Sequence, residues 1–189
     1  MRIVLASASP RRAELLRAAG FDFIVRPADV DESPAPGEDA RALVRRVAAA
    51  KAGSVEGDDP ADIILGADTV VVLDGVILGK PRDDRDAAAM LSRLSGRAHD
   101  VLTGIALRQG SRLVAETEET RVFFAVVGEA EIAWYVASGE PSDKAGAYGI
   151  QGLASRFVTR IEGSYTNVVG LPVEALRRML KTMRLLDFG

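Results

Sequence analysis

Short runs of Ile, Val and Leu alternate with alanine-rich stretches over the first half of the chain, and apolar runs then cluster in the middle. Arg2 to Leu5 reads as a strand. A turn follows, then a helix from about Pro10 to Ala19, with Ser9 suited to the N-cap, Pro10 to the first helical position and Gly20 to the C-terminal stop. "FDFIVRP" reads as a second short strand, "ADVDESPAPGED" as a loop, and Asp39 to Ala52 as a helix. The near-continuous apolar run in "DIILGADTVVVLDGVILGKP" predicts a buried strand, and Asp74-Gly75 predicts a two-residue primed hairpin turn. Counting outward from that turn pairs Leu73 with Val76, Val71 with Leu78 and Thr69 with Lys80. Asp68 and Lys80 then become neighbours at the hairpin mouth, and a bulge or sharp twist at Gly79 is needed if they are to share a ligand.

Downstream, a helix is expected from Asp83 to about Leu94, stopped by Ser95-Gly96. Two or three strands follow in "VLTGIALRQ", "RLVAETEET" and "RVFFAVV", with Gln109-Gly110 as a turn. A further helix, "EAEIAWYVAS", ends at Gly139. "GEPSDKAGAYGIQG" reads as a flexible glycine loop, "ASRFVTRIEG" as a strand and "SYTNVVG" as another loop, and Pro172 opens a closing helix. Alternation followed by clustered strands predicts an α/β fold with a mixed sheet flanked by helices, in two lobes with a central cleft.

Composition narrows the chemistry. With 48% hydrophobic and 27% charged residues the 189-residue chain is globular, and it carries no apolar run of bilayer length and no signal-peptide pattern; a cytoplasmic, membrane-free protein is expected. Cysteine is absent and His99 is the single histidine, so thiol chemistry, a Ser-His-Asp triad and multi-histidine metal sites are disfavoured. A metal would rely on oxygen ligands, as magnesium or manganese does. A net charge of −3 gives no global field for nucleic acid, so none is expected as a partner, and any anion site must be local. Only four of the 24 basic residues are lysine, which points to a need for the compact ammonium group at Lys51, Lys80, Lys144 and Lys181.

The strongest local anomaly is "LASASPRRAEL", where two arginines occupy the first turn of a helix, at the positive end of its dipole. Free backbone N–H groups there, with Ser7, Ser9, Arg11 and Arg12, suit a phosphate or polyphosphate; alternatively the arginines point into water or pair with acids such as Glu14. Asp68 lies in a run that otherwise looks buried, so a cation, a metal or backbone donors must compensate it. It could ligate a divalent ion, take a proton from attacking water, or serve only structurally, capping the hairpin or pairing with an arginine. Lys51, near a helix C-terminus, is either a dipole partner or a phosphate ligand. Lys80 is either a solvated edge lysine or a phosphate ligand, and Glu32 either a solvated loop acid or a metal ligand. Gly146, Gly149 and Gly152 would let backbone approach a ligand closely, with Lys144, Tyr148 and Gln151 adding contacts, whereas His99 reads as structural. Several cations, a few carboxylates and almost no imidazole together fit phosphoryl chemistry with water as nucleophile.

"SASPRR", "GADTVV", "GKP", "DKAGAYGIQG" and "SYTNVVGLP", in this order and spacing, closely resemble the Maf family of nucleotide pyrophosphatases, and the resemblance covers essentially the whole chain as a single two-lobed domain, 1–189. It implies a cytoplasmic, homodimeric enzyme dependent on a divalent cation, Mg²⁺ or Mn²⁺, with an elongated mixed sheet similar to that of inosine triphosphate pyrophosphatases. The implied reaction converts nucleoside triphosphates to monophosphate and pyrophosphate. Asp68 matches the family's proton acceptor. Ser7, Arg12, Lys51 and Lys80 match triphosphate-binding positions, and Glu32 an acid associated with the metal. Arg11, Thr69 and Gln151 match the positions that separate subfamilies and resemble the dTTP/UTP group at all three. Two alternatives remain open at this stage: modified nucleotides such as 7-methyl-GTP as substrates, and a non-catalytic nucleotide sensor acting on cell division.

Overall fold

The computed structural model describes residues 2–185. Its seven-stranded mixed sheet is built from β1 (Ile3–Leu5), β2 (Phe23–Val25), β3 (Ile63–Leu73), β4 (Val76–Leu78), β5 (Ala98–Gln109), β6 (Arg112–Phe124) and β7 (Val158–Glu162). The strand order is β2-β1-β3-β5-β6-β7, with β4 pairing β3. β1 lies parallel to both β2 and β3, whereas the β3–β4 and β6–β7 pairs are antiparallel. The helices are α1 (Pro10–Ala18), α2 (Ala40–Ser54), α3 (Asp84–Leu94), α4 (Glu129–Ala137), α5 (Tyr165–Val169) and α6 (Val173–Thr182).

The chain divides into two compact units: residues 1–68, 103–118 and 170–189, and residues 69–102 and 119–169. In the first, strand alternation separates two apolar layers. Ile3, Leu5, Ile63, Leu65 and Ala67 pack with Leu16 of α1 and Leu176 and Leu180 of α6. The intervening residues Val4, Ala6 and Ile64 pack with Ala48 and Ala52 of α2. The second unit has its own core, in which Val71, Leu73 and Leu78 meet Leu91 and Leu94 of α3, Tyr135 of α4, and Phe124 and Phe157.

The hairpin forms in the expected register, with Leu73 opposite Val76 and Val71 opposite Leu78, and both turn residues take positive φ, 53° at Asp74 and 76° at Gly75. α2 and α3 are capped by the carboxylates of Asp39 and Asp83, which accept from the amides of Ala42 and Asp86. Of the two or three strands expected in the middle of the chain two form, because "RLVAETEET" and "RVFFAVV" contribute to one continuous strand, β6. Elsewhere the structure differs from the sequence reading. The start of "ASRFVTRIEG" is a 3₁₀ turn at Leu153–Phe157 that buries Ala154 and Phe157, and only Val158 onward is extended. "SYTNVVG" contains α5, whose first turn is closed by Ser164 Oγ accepting from the Asn167 amide at 3.2 Å.

Candidate active site

β1 is flanked by β2 on one side and β3 on the other, so connections diverge at its carboxyl end, the place where open α/β sheets leave room for a ligand. The Ala6 amide still donates to the Leu65 carbonyl at 2.9 Å, one residue past the strand, and Ser7 follows it. Ser7 Oγ accepts from the Ser9 amide at 3.3 Å and from Arg12 Nη1 at 2.9 Å. Arg12 Nε donates to the Gly170 carbonyl at 2.8 Å. Arg12 therefore folds back over the turn and is buried, while Arg11 is half-buried. The Ser9 hydroxyl makes no capping bond, so its expected role in starting α1 is confined to its backbone position.

The charges of Glu32 and Asp68 reach Arg12, and Lys51 pairs with both of these acids. α2 sits directly on β3 because residue 66 is glycine: a Cβ there would lie 2.1 Å from the Ala48 carbonyl oxygen. A second glycine, Gly104 on β5, admits the Val44 carbonyl in the same way. This seating places Lys51 Nζ against the end of β3, donating to Asp68 Oδ1 at 2.9 Å and to the Ala67 carbonyl at 3.3 Å. The half-exposed Glu32, from the loop after β2, pairs with the same ammonium through Oε1 at 2.7 Å. Lys51 and Asp68 are both buried.

Two carboxylates and two cations thus share one neighbourhood, buried at Arg12, Lys51 and Asp68 and open to solvent at Glu32. Burial pushes the Asp68 carboxyl up from its ordinary value, with Lys51 and Arg12 opposing that shift and Glu32 adding to it. Burial likewise lowers the Arg12 guanidinium, against the charges of Asp68 and Glu32. A carboxylate with increased proton affinity beside fixed cations is equipped to take a proton while neighbouring charges neutralise an anion.

Among the described residues, no group of three or more His, Cys, Asp or Glu side chains is arranged to hold a metal. Glu32 and Asp68 nonetheless converge on a single cationic atom, Lys51 Nζ. Two carboxylates make a hard oxygen donor set of the kind that holds Mg²⁺ when water and substrate phosphate oxygens complete the shell, so the residues fit such an ion.

Thr69, Lys80 and Gln151 belong to the second unit. Thr69 is half-buried on β3. The β3–β4 ladder ends at Val71–Leu78, so the expected Thr69–Lys80 pair does not form; Lys80 is exposed in a bend, and the partner of Asp68 is Lys51 instead. The reason is Gly79, which leaves the strand and whose carbonyl accepts from the Gly146 amide at 3.0 Å, joining "GKP" to the glycine segment. That segment is a chain of packed 3₁₀ turns with Ala147 and Tyr148 buried. Lys144 Nζ is used internally, on the Glu140 carbonyl and Asp143 Oδ1, both at 2.6 Å. Tyr148 Oη is 2.8 Å from His99 Nε2, and both side chains are buried in the second unit. Gln151 is exposed on the turn that follows. The sequence reading missed the Gly170 carbonyl and Gly66; only the second left a signal, a glycine inside an apolar strand.

A family model described as "Maf-like protein" matches residues 2–183. A protein of an Anaeromyxobacter species named dTTP/UTP pyrophosphatase is 55% identical, the match covering 95% of this chain and 88% of that one. Proteins of the same name from Koribacter versatilis and Symbiobacterium thermophilum are each 51% identical, over 96% and 95% of this chain and 94% and 92% of theirs. Among solved structures, the Staphylococcus aureus Ham1 protein superposes with a TM-score of 0.54 over 97% of this chain and 100% of that one at 14% identity, a likeness of fold.

Proposed function

Because this chain belongs to the Maf-like protein family, we propose that it is a nucleoside triphosphate pyrophosphatase that hydrolyses dTTP and UTP to the monophosphate and pyrophosphate. The observation that carries this reading is Asp68, a buried carboxylate of raised proton affinity held by Lys51 and within the field of Arg12. Asp68 accepts a proton from water as the water oxygen bonds to the α-phosphorus. The α-phosphorus to bridging-oxygen bond breaks in the same displacement, and pyrophosphate leaves with the electron pair. Arg12, fixed by Ser7 and Gly170, and Lys51 neutralise the charge that develops on the leaving group, with Lys80 as a third cation. Ser7 lies beside the phosphate-binding turn as a hydroxyl ligand. A divalent cation, Mg²⁺ or Mn²⁺, held by Glu32 and Asp68 would polarise the substrate's phosphate oxygens. Arg11, Thr69 and Gln151 choose the base; the Gln151 amide offers a donor and an acceptor that match O4 and N3–H of thymine or uracil.

Among the described residues no helix is long and apolar enough to cross a membrane. The proposed setting is the cytoplasm, where nucleoside triphosphates are available, and the proposed assembly is a homodimer. Pyrophosphate release from a nucleotide panel in the presence of Mg²⁺ tests the activity: dTTP and UTP should be preferred, and an Asp68→Asn variant should be nearly inactive. Normal turnover by that variant would reject the assignment.

A further inference from the structure

The turn that carries Gln151 is held on one flank by Glu140 directly and on the other through Tyr135, two side chains that the proposed reaction does not use. Glu140 Oε2 accepts from the Leu153 amide at 2.9 Å, on the far side of Gln151. Its other oxygen, Oε1, accepts from the Tyr135 hydroxyl at 2.9 Å, and the Tyr135 oxygen accepts in turn from the Gly149 amide at 3.3 Å, on the near side. Tyr135 is fully buried in the core of the second unit, so the near arm is anchored on a rigid element, α4.

Two glycines beside Gln151, Gly152 and Gly149, are explained by Glu140 and by the lysine that its carbonyl holds. A Cβ at Gly152 would stand 2.3 Å from Glu140 Oε1 and 2.4 Å from Oε2. At Gly149 a Cβ would lie 2.7 Å from the Lys144 side chain, whose ammonium is tied to the Glu140 main-chain carbonyl. Backbone runs against Glu140 on either side of Gln151, and the space a side chain would fill is taken by that carboxylate and by Lys144. Gln151 itself is exposed, and the turn around it is closed by the Gly152 amide donating to the Gly149 carbonyl at 3.1 Å. The flanking amides of Leu153 and Gly149 are held from outside the turn, the first by Glu140 and the second by Tyr135, whose hydroxyl donates to Glu140.

We propose that Glu140 is a positioning residue for base selection: through the amides of Gly149 and Leu153 it fixes the turn that presents Gln151 to the pyrimidine. This rests on the proposed role of Gln151 and goes beyond it by naming what makes that role selective. A site built to pair a base's polar edge discriminates strongly only if its donor and acceptor are held in place. Loosening the turn should therefore reduce discrimination more than turnover.

The test compares wild type, Glu140→Ala, Glu140→Gln, Tyr135→Phe and Gln151→Ala by kcat/KM for dTTP relative to dCTP, together with hydrogen exchange at the Gly149 and Leu153 amides. Glu140→Ala should lower the dTTP:dCTP ratio by about tenfold, mostly through KM for dTTP, with kcat within about threefold of wild type. Glu140→Gln keeps an acceptor for Leu153 and should recover part of that ratio. Tyr135→Phe should release Gly149 alone. Combining Glu140→Ala with Gln151→Ala should lower the ratio no further than Gln151→Ala does, because both act through the same side chain. A stability loss with an unchanged ratio in the Glu140 variants, or additive losses in the double variant, overturns the proposal. So do unchanged exchange rates at Gly149 and Leu153, a measurement that needs no turnover and decides the clamp even if Glu140→Ala folds poorly and only Glu140→Gln can be studied. Failure of wild type to cleave dTTP or UTP rejects the functional reading instead, and an unchanged ratio in Gln151→Ala rejects the route through Gln151.

Discussion

At the scale of single residues, the two adjacent arginines of "SPRR" have separate fates. Arg12 is buried and bridges Ser7 to the Gly170 carbonyl, so truncating it removes a charge that helps to balance Asp68 and Glu32 and also takes a donor away from Ser7 Oγ and from the Gly170 carbonyl. Arg12→Ala should depress turnover of every nucleotide and cost about 3 kcal/mol of stability, as loss of one partner from a buried charge network typically does, read from denaturant unfolding. Arg11 is half-buried and should behave differently. Its alanine variant should change the ranking among nucleotides and leave the unfolding midpoint nearly in place. Equal, unselective losses from both variants would show that the division of labour is false. For Asp68, replacement by Asn keeps the shape and removes the base; kcat should fall by about 10²–10⁴ with a smaller effect on KM. The same carboxyl, raised by burial in the metal-free protein, should titrate above the ordinary aspartate range by NMR and move down when Mg²⁺ is added, since a cation beside it favours the charged form. An unchanged titration on adding Mg²⁺ would argue against Asp68 as a metal ligand.

At the scale of elements, the contact between α2 and β3 carries the site, because it brings a lysine and an aspartate 17 positions apart within hydrogen-bonding distance. Gly66 and Gly53 give a matched comparison. An alanine methyl at Gly66 meets the Ala48 carbonyl oxygen at 2.1 Å, and helix and strand must separate to admit it. At Gly53, within α2, nothing lies within 4 Å. Gly66→Ala should therefore destabilise by about 1–3 kcal/mol and reduce activity by moving Lys51 off Asp68. Gly53→Ala should stabilise by about 0.5–1 kcal/mol with activity intact. Thermal melts with parallel activity assays distinguish the two.

The same contact marks how far the sequence could be read. The hairpin register was legible because alternation and the Asp-Gly turn specify it locally, and the helix starts at Asp39 and Asp83 because a cap is a three-residue signal. That Asp68 needed compensation was legible from its apolar surroundings; that Lys51 supplies it was not, since helix position alone made Lys51 look like a dipole partner. The pairing with Lys80 failed because it extrapolated the ladder past Gly79, where the chain turns to meet Gly146. α5 was missed because five residues, three of them β-branched, give too little periodicity to count as a helix.

At the scale of the whole molecule, the response to acid should be set first by a group outside the proposed site. His99 is held neutral in the core of the second unit, edge-on to Phe124 and Tyr148, and burial pushes its pKa down to about 4 against a weaker opposing pull from Asp100. An unfolded chain would protonate the same imidazole near 6.5, so between these values the unfolded state binds a proton that the folded state refuses. The folded pKa is depressed and the neutral form is the folded one; stability is thus present above about 6.5 and drains as pH falls toward 4, by about 3 kcal/mol in all. Asp62 and Glu38 follow at lower pH. Arg2 holds the first at about 2 and Arg46 the second at about 2, and their contributions fade only as pH drops from the ordinary carboxylate range toward that value. Asp68, shifted upward, works in the opposite direction, so the wild-type curve alone is a composite. The difference between wild type and His99→Gln isolates the imidazole. Urea unfolding followed by the single tryptophan, Trp134, reports on the unit that contains His99. Between pH 6.5 and 4 the wild type should lose stability more steeply than the variant, approaching 1.4 kcal/mol per pH unit of difference at the steepest point, about the value for one proton. Parallel curves would mean that His99 accepts its proton inside the folded core, and the depressed pKa would have to be abandoned.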